Sequence, residues 1–176
     1  MKLNNSVLCY KHVYKQTKTS NKGARHGKQK SINALQLFVT GLTEGAIVHR
    51  LQGQALKAEG FAKLGDKFLA HYAEEMGWVE KMQERILDLG GKPVFEGCKC
   101  REIIVDPIEY IKADLAIQEK GVTMLRDCAL TVADDPLTFD ILKAYLADEE
   151  EDLYWLRGQL ELCAKIGSQN YFATLI

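Results

Sequence analysis

Four interruptions divide the chain after residue 31 into four long helical tracts, and tracts of that length leave few folds open. Gly60 is the first, Gly90-Gly91 with Pro93 the second, Asp106-Pro107 the third and Asp135-Pro136 the fourth. Glycine ends helices and proline is tolerated only in a first turn, so these positions predict boundaries. Ser31 is the expected N-cap of the first tract, whose apolar stripe runs Leu35, Phe38, Leu42, Ala46 and then His49, to about Ala58. The second runs from Phe61 to Leu89 on Leu64, Phe68, Tyr72, Glu75, Val79, Met82 and Ile86. Asp106-Pro107-Ile108-Glu109 opens the third, on Ile108, Ile111, Leu115, Gln118, Val122, Leu125, Ala129 and Val132. The fourth reaches Ile166, where Gly167 ends it. Each tract holds roughly 27–31 residues, against about 11–12 for a mean helix.

The first and third connections are short and the middle one, residues 92–105, is longer. That predicts two antiparallel hairpins joined by a crossover between helices 2 and 3. It is the connectivity of an all-α, ferritin-like four-helix bundle rather than a simple up-and-down one. A short amphipathic fifth piece, Ser168–Ile176, follows.

Charge divides the chain differently. Residues 1–30 hold eight Lys or Arg and no Asp or Glu, whereas the other 146 residues hold 15 basic and 24 acidic side chains. The expectation is a basic, disordered tail over 1–30 and a folded domain over 31–176. Such a tail either contacts nucleic acid, as in a DNA-protecting mini-ferritin-like protein, or is simply solvated. No apolar run approaches the ~18 residues that span a bilayer, and no secretory core is visible, so a cytoplasmic protein without a membrane contact is expected. Five cysteines in that setting read as free thiols. Cys98-x-Cys100 sits in the crossover, where a lone pair is weak support for a metal.

Asp148-Glu149-Glu150-Glu151-Asp152 sets five acids in a row on the fourth tract. Successive helix positions are about 100° apart, so they cannot all face water if the helix has a buried stripe. The stripe Ile141, Tyr145, Glu149, Asp152, Leu156, Leu160 places two carboxylates inward. The other stripes each carry a polar residue near the middle: His49, Glu75 and Gln118. Carboxylates converging from facing helices can hold a di-metal site, with iron or manganese matching such donors. The same residues can instead close a polar network without metal. Both readings stand on residue types alone.

Specific runs resemble bacterioferritins. They are Glu74-Glu75-Met76, Gln83 through Pro93, Lys112-Ala113-Asp114-Leu115-Ala116, Leu125-Arg126, Asp148-Glu149-Glu150, Trp155-Leu156, Leu160-Glu161-Leu162 and Lys165 through Tyr171. The resemblance spans about 31–176. It implies a subunit of an iron-storage shell. The Gly167–Tyr171 ending favours 24 subunits paired as twofold dimers over a 12-subunit shell. It also implies a di-iron site from one Glu on each of helices 1 and 3 and Glu-x-x-His on helices 2 and 4. Those positions are Leu42, Gln118, Glu75 with Trp78, and Glu149 with Asp152, so only Glu75 and Glu149 match. The expected metal set is thus Glu75, Glu149, Asp152, Gln118 and His49, with the di-iron site degenerate. Met76 matches the methionine that ligates haem b across the dimer axis. The resemblance therefore implies a haem-bearing or structural subunit, as a homo-oligomer or beside a partner subunit with a complete site. The alternative is a ferroxidase that oxidises Fe(II) at an unusual carboxylate site.

Overall fold

A computed structural model describes residues 24–97 and 101–176, and it is helical where the apolar stripes require it. The helices are α1 Ala24–Ala58, α2 Ala62–Asp88, α3 Pro107–Thr131, α4 Pro136–Ile166 and α5 Ser168–Thr174. α1 packs chiefly on α2 and α3 on α4. This is the four-helix bundle with a crossover and a short fifth helix that the tract lengths predict.

One boundary differs. α1 is already helical at Ala24, seven residues before Ser31. Lys28, Gln29 and Lys30 are good helix formers, and all three are exposed. Ser31 is therefore not a cap; it is buried inside the helix. Residues 1–23 of the expected tail lie outside the described residues. One premise of the membrane expectation, that no run is long and apolar enough to span, has an exception. By length and composition, α1 between His26 and Ala58 is apolar enough to cross a bilayer. Half of that window is buried in the bundle, as befits a core helix.

The two aspartate–proline starts behave as predicted. Asp106 accepts from the backbone N–H of Ile108 and of Glu109, both at 2.9 Å. Asp135 accepts from the Thr138 hydroxyl at 2.7 Å and from Arg85 Nη2 on α2 at 2.7 Å. Burial alone would raise the Asp135 carboxyl, but these bonds hold it below the usual range.

Two apolar clusters fill the bundle. One gathers Leu35, Phe38, Met82, Ile86, Leu125, Val132 and Leu142. The other gathers Leu56, Leu64, Phe68, Ile111, Leu156 and Tyr171. α5 closes the second cluster: Tyr171 is fully buried, and the Leu175 carbonyl accepts from Lys63 N–H, an otherwise unsatisfied group in the first turn of α2. Polar residues are concentrated between the clusters.

Two features set the register there. Gly53 on α1 faces Gly65 on α2 so closely that a Cβ added at Gly53 would lie 2.7 Å from the Gly65 carbonyl oxygen. In addition, two α1 glutamines hold the crossover. Gln36 donates to the Val94 carbonyl and accepts from Val94 N–H, both at 2.9 Å. Gln52 does the same with Ile104, accepting its N–H at 3.0 Å. Each side-chain amide imitates a strand neighbour and satisfies the loop backbone.

Candidate functional site

A cavity of about 180 Å³ opens between the two apolar clusters. Leu42, Glu44, His49, Glu75, Tyr110, Asp114, Gln118 and Glu149 are among its lining residues. Four of the five expected metal-set residues meet there: His49, Glu75, Gln118 and Glu149.

The cavity is internally paired. His49 Nδ1 lies 2.9 Å from Glu75 Oε2 and its Nε2 lies 3.2 Å from Asp114 Oδ1. One imidazole on α1 thus bridges carboxylates on α2 and α3. Burial alone would lower the His49 pKa. Asp114 and then Glu75 outweigh it and raise the pKa well above the usual histidine value. Gln118 Nε2 donates to Glu149 Oε2 at 2.6 Å and to the Glu149 carbonyl at 3.0 Å. Burial pushes the Glu149 carboxyl up to about 8, against hydrogen bonds from Tyr145 and Gln118 that favour its charged form. At neutral pH Glu149 is therefore mostly a neutral acid. Arg101, from the crossover, holds Glu44 at the cavity wall through Nε at 3.0 Å and Nη2 at 2.5 Å.

Asp152 does not join this group. The buried stripe of α4 runs through Leu142, Tyr145, Leu153 and Leu156. Leu153 takes the inward place, and Asp152, one position earlier, turns to the flank against α2. There Asp152 Oδ1 lies 3.0 Å from His71 Nε2 and 3.3 Å from Lys67 Nζ. Burial alone would raise Asp152, but His71 and Lys67 hold it below the usual range. Trp78 is likewise occupied: its indole donates to Asp148 at 2.6 Å and its ring stands 5.6 Å from that of Tyr145.

Tyr110, Asp114 and His71 escaped sequence reasoning, although each shares a helix face with a residue that it found. Tyr110, Asp114 and Gln118 succeed one another at i, i+4 on α3, and His71 and Glu75 do so on α2, so each trio or pair shares a face. That spacing was the available signal. Glu44 is about 200° from Leu42 around the helix, which on sequence alone sets it aside as a substitute for Leu42, yet both line the cavity.

Met76 is half-buried beside a second cavity of about 270 Å³, which Val39, Val79, Val94 and Phe95 also line. Burial pushes the Cys128 thiol up to about 11, which leaves it unreactive at neutral pH. Cys98 and Cys100 lie outside the described residues.

Among the described residues, no group of three His, Cys, Asp or Glu side chains is disposed to hold a metal ion. The donor chemistry agrees with that arrangement. Both His49 nitrogens are engaged, Glu149 accepts from Gln118, and Leu42 and Trp78 have no lone pair to offer. The residues at this centre do not fit a resident di-iron group.

Long paired helices, a crossover and a carboxylate cavity at mid-bundle define the ferritin-like class of four-helix proteins. The chain belongs to the ferritin-like domain family, whose profile matches residues 52–166. It is 30% identical over 158 residues to a bacterial ferritin of Pseudomonas aeruginosa, covering 85% of this chain and 99% of that protein. It is 28% identical over 154 residues to a bacterial ferritin of Neisseria meningitidis, covering 83% of this chain and 96% of the relative. A bacterioferritin of Mycobacterium bovis is 32% identical over 124 residues, covering 66% of this chain and 75% of the relative.

Proposed function

We propose that this chain is a subunit of an iron-storage shell and that its bundle centre is structural rather than oxidising. Membership of the ferritin-like family and the ferritin names of its relatives support the storage role. The observation that carries the structural role is the pairing of Glu75 with His49 and of Glu149 with Gln118. The two carboxylates kept at the family's metal positions are both satisfied by neighbours in the chain. Iron is the cargo, and the acidic body concentrates cations for it. Oxidation then falls to a partner subunit or to the growing mineral. Adding Fe(II) to the purified homo-oligomer is expected to give oxygen uptake no faster than the same Fe(II) in buffer. Rapid uptake that Glu149→Ala abolishes would instead establish the ferroxidase reading.

Met76 supports a haem role for the same subunit. Its thioether is a soft ligand suited to haem iron, and Val39, Val79, Val94 and Phe95 offer apolar contact in a cavity that Thr40, Thr43, Glu80, Gln83 and Glu96 also line. Two copies would each supply one Met76. Haemin titration is expected to give a low-spin spectrum in the wild-type oligomer that Met76→Leu removes. An identical spectrum in the two proteins would exclude Met76 as the ligand.

A further inference from the structure

We infer that the second half of the crossover, residues 101–105, is a strap that gates the cavity and is latched shut by the ion pair of Arg101 with Glu44. The cavity opens between the hairpins. α1 and α3 supply most of its lining, whereas α2 contributes Glu75 and α4 contributes Tyr145 and Glu149. α1 packs chiefly on α2, and α3 on α4, so the side between α1 and α3 is left for another element to cover. Arg101, Glu102 and Ile104 cover it and form part of the cavity wall.

What holds the strap is polar. Arg101 donates to Glu44 Oε1 through Nε at 3.0 Å and Nη2 at 2.5 Å. Ile104 exchanges both of its backbone groups with the Gln52 amide. Apolar anchoring is slight: Ile103 is 40% exposed and Val105 54% exposed, and of the strap residues only Ile104 packs against the second apolar cluster. A segment with few buried apolar contacts opens locally at a fraction of the cost of unfolding. The two anchors also differ. Gln52 is fully buried, whereas the Arg101 side chain keeps 31% of its surface in water. The arginine end is therefore the one that releases first. Lifting it exchanges the guanidinium on Glu44 for water, so no carboxylate is left buried and unpaired. The first half of the crossover is held separately, by Gln36 on Val94, and can stay in place.

The test uses the whole chain as the purified oligomer, carrying Leu42→Cys as a reporter. Leu42 lines the cavity and is buried. Methyl methanethiosulfonate is the probe: it is small, and it is uncharged, so losing an arginine does not by itself alter its approach. Peptide mass spectrometry reads labelling at position 42 apart from the native cysteines. Arg101→Gln is expected to speed that labelling about tenfold and to raise amide exchange over residues 101–106 in step, with exchange along α4 unchanged. Arg101→Lys, which keeps the charge and loses the fork, should fall between the two. Gln36→Ala should label no faster than the reporter alone. If Arg101→Gln does not fold, Glu44→Gln serves, because it removes the latch from the other side. Unchanged labelling in a folded latch variant overturns the inference. Equal acceleration by Gln36→Ala overturns it too, since the crossover would then open as a whole. So does faster exchange along α4, which would mean that the bundle itself has loosened. No readout involves iron, so the strap stands or falls independently of the storage role.

Discussion

Gly53→Ala and Gly65→Ala are each expected to destabilise the chain by about 2–3 kcal/mol, and the double variant by less than the sum. A Cβ at Gly65 would lie 2.5 Å from the Gly53 carbonyl oxygen and would also strike the Lys57 side chain, and one at Gly53 would lie 2.7 Å from the Gly65 carbonyl oxygen. Those carbonyls belong to helical backbone and cannot swing aside like a lysine tip. The only relief is for α1 and α2 to separate. One methyl forces that separation, so the second meets a gap already opened, which is why the costs do not add. His49 lies about one turn from Gly53 on α1, so the His49–Glu75 contact should lengthen as well. Urea unfolding of both single variants and the double would check this. Full additivity would show that the helices do not move as a unit.

Stability is expected to decline as pH rises from about 5 to 9, and Glu149→Gln should remove much of the decline. Buried Glu149 keeps its proton up to about pH 8, whereas an unfolded glutamic acid releases it near 4.5. Between those values the folded state binds more protons than the unfolded chain, so unfolding becomes easier as pH rises. The stabilisation is complete below 4.5 and lost by about pH 8, with an effect on the order of a few kcal/mol. His49, raised above its usual value, acts in the same direction and remains in the variant. Asp135 and Asp152, both held low, act oppositely and only in more acid solution. The wild type should therefore be most stable somewhat below neutrality. At pH 9, Glu149→Gln should exceed the wild type in urea midpoint, and at pH 5 the two should agree. A wild-type midpoint that climbs from pH 5 to 8 would mean that Glu149 is ionised in the fold.

Most of the architecture was legible because punctuation and periodicity agree. Asp106-Pro107 and Asp135-Pro136 start helices through side-chain caps that sequence alone can name, and Gly167 ends α4 with φ +80°. The start of α1 was not legible, because a Lys- and Gln-rich segment looks the same in a solvated helix and in a tail. At the site, the sequence could place His49, Glu75, Gln118 and Glu149 on inward faces. It could not give their partners, since which carboxylate a ring meets depends on how helices from different hairpins are rotated. Asp152 illustrates the limit. A turn of one residue on α4 gives Leu153 the interior and Asp152 the flank. His71 and Asp114 escaped because a stripe read from apolar residues passes over a polar neighbour four positions away.

The division of the core has a kinetic consequence. α1 with α2, and α3 with α4, are hairpins of mostly local contacts and can form early. Docking them removes His49, Glu75, Asp114 and Glu149 from water together, and those groups reward desolvation only when all are in register. The apolar clusters on either side can guide the approach, whereas the ring between two carboxylates forms at the end of it. Substitutions at this centre should therefore act mainly on how fast the bundle opens. The glycine pair, inside one hairpin, should act on how fast it forms. The polar centre would then be the timer of the folded subunit.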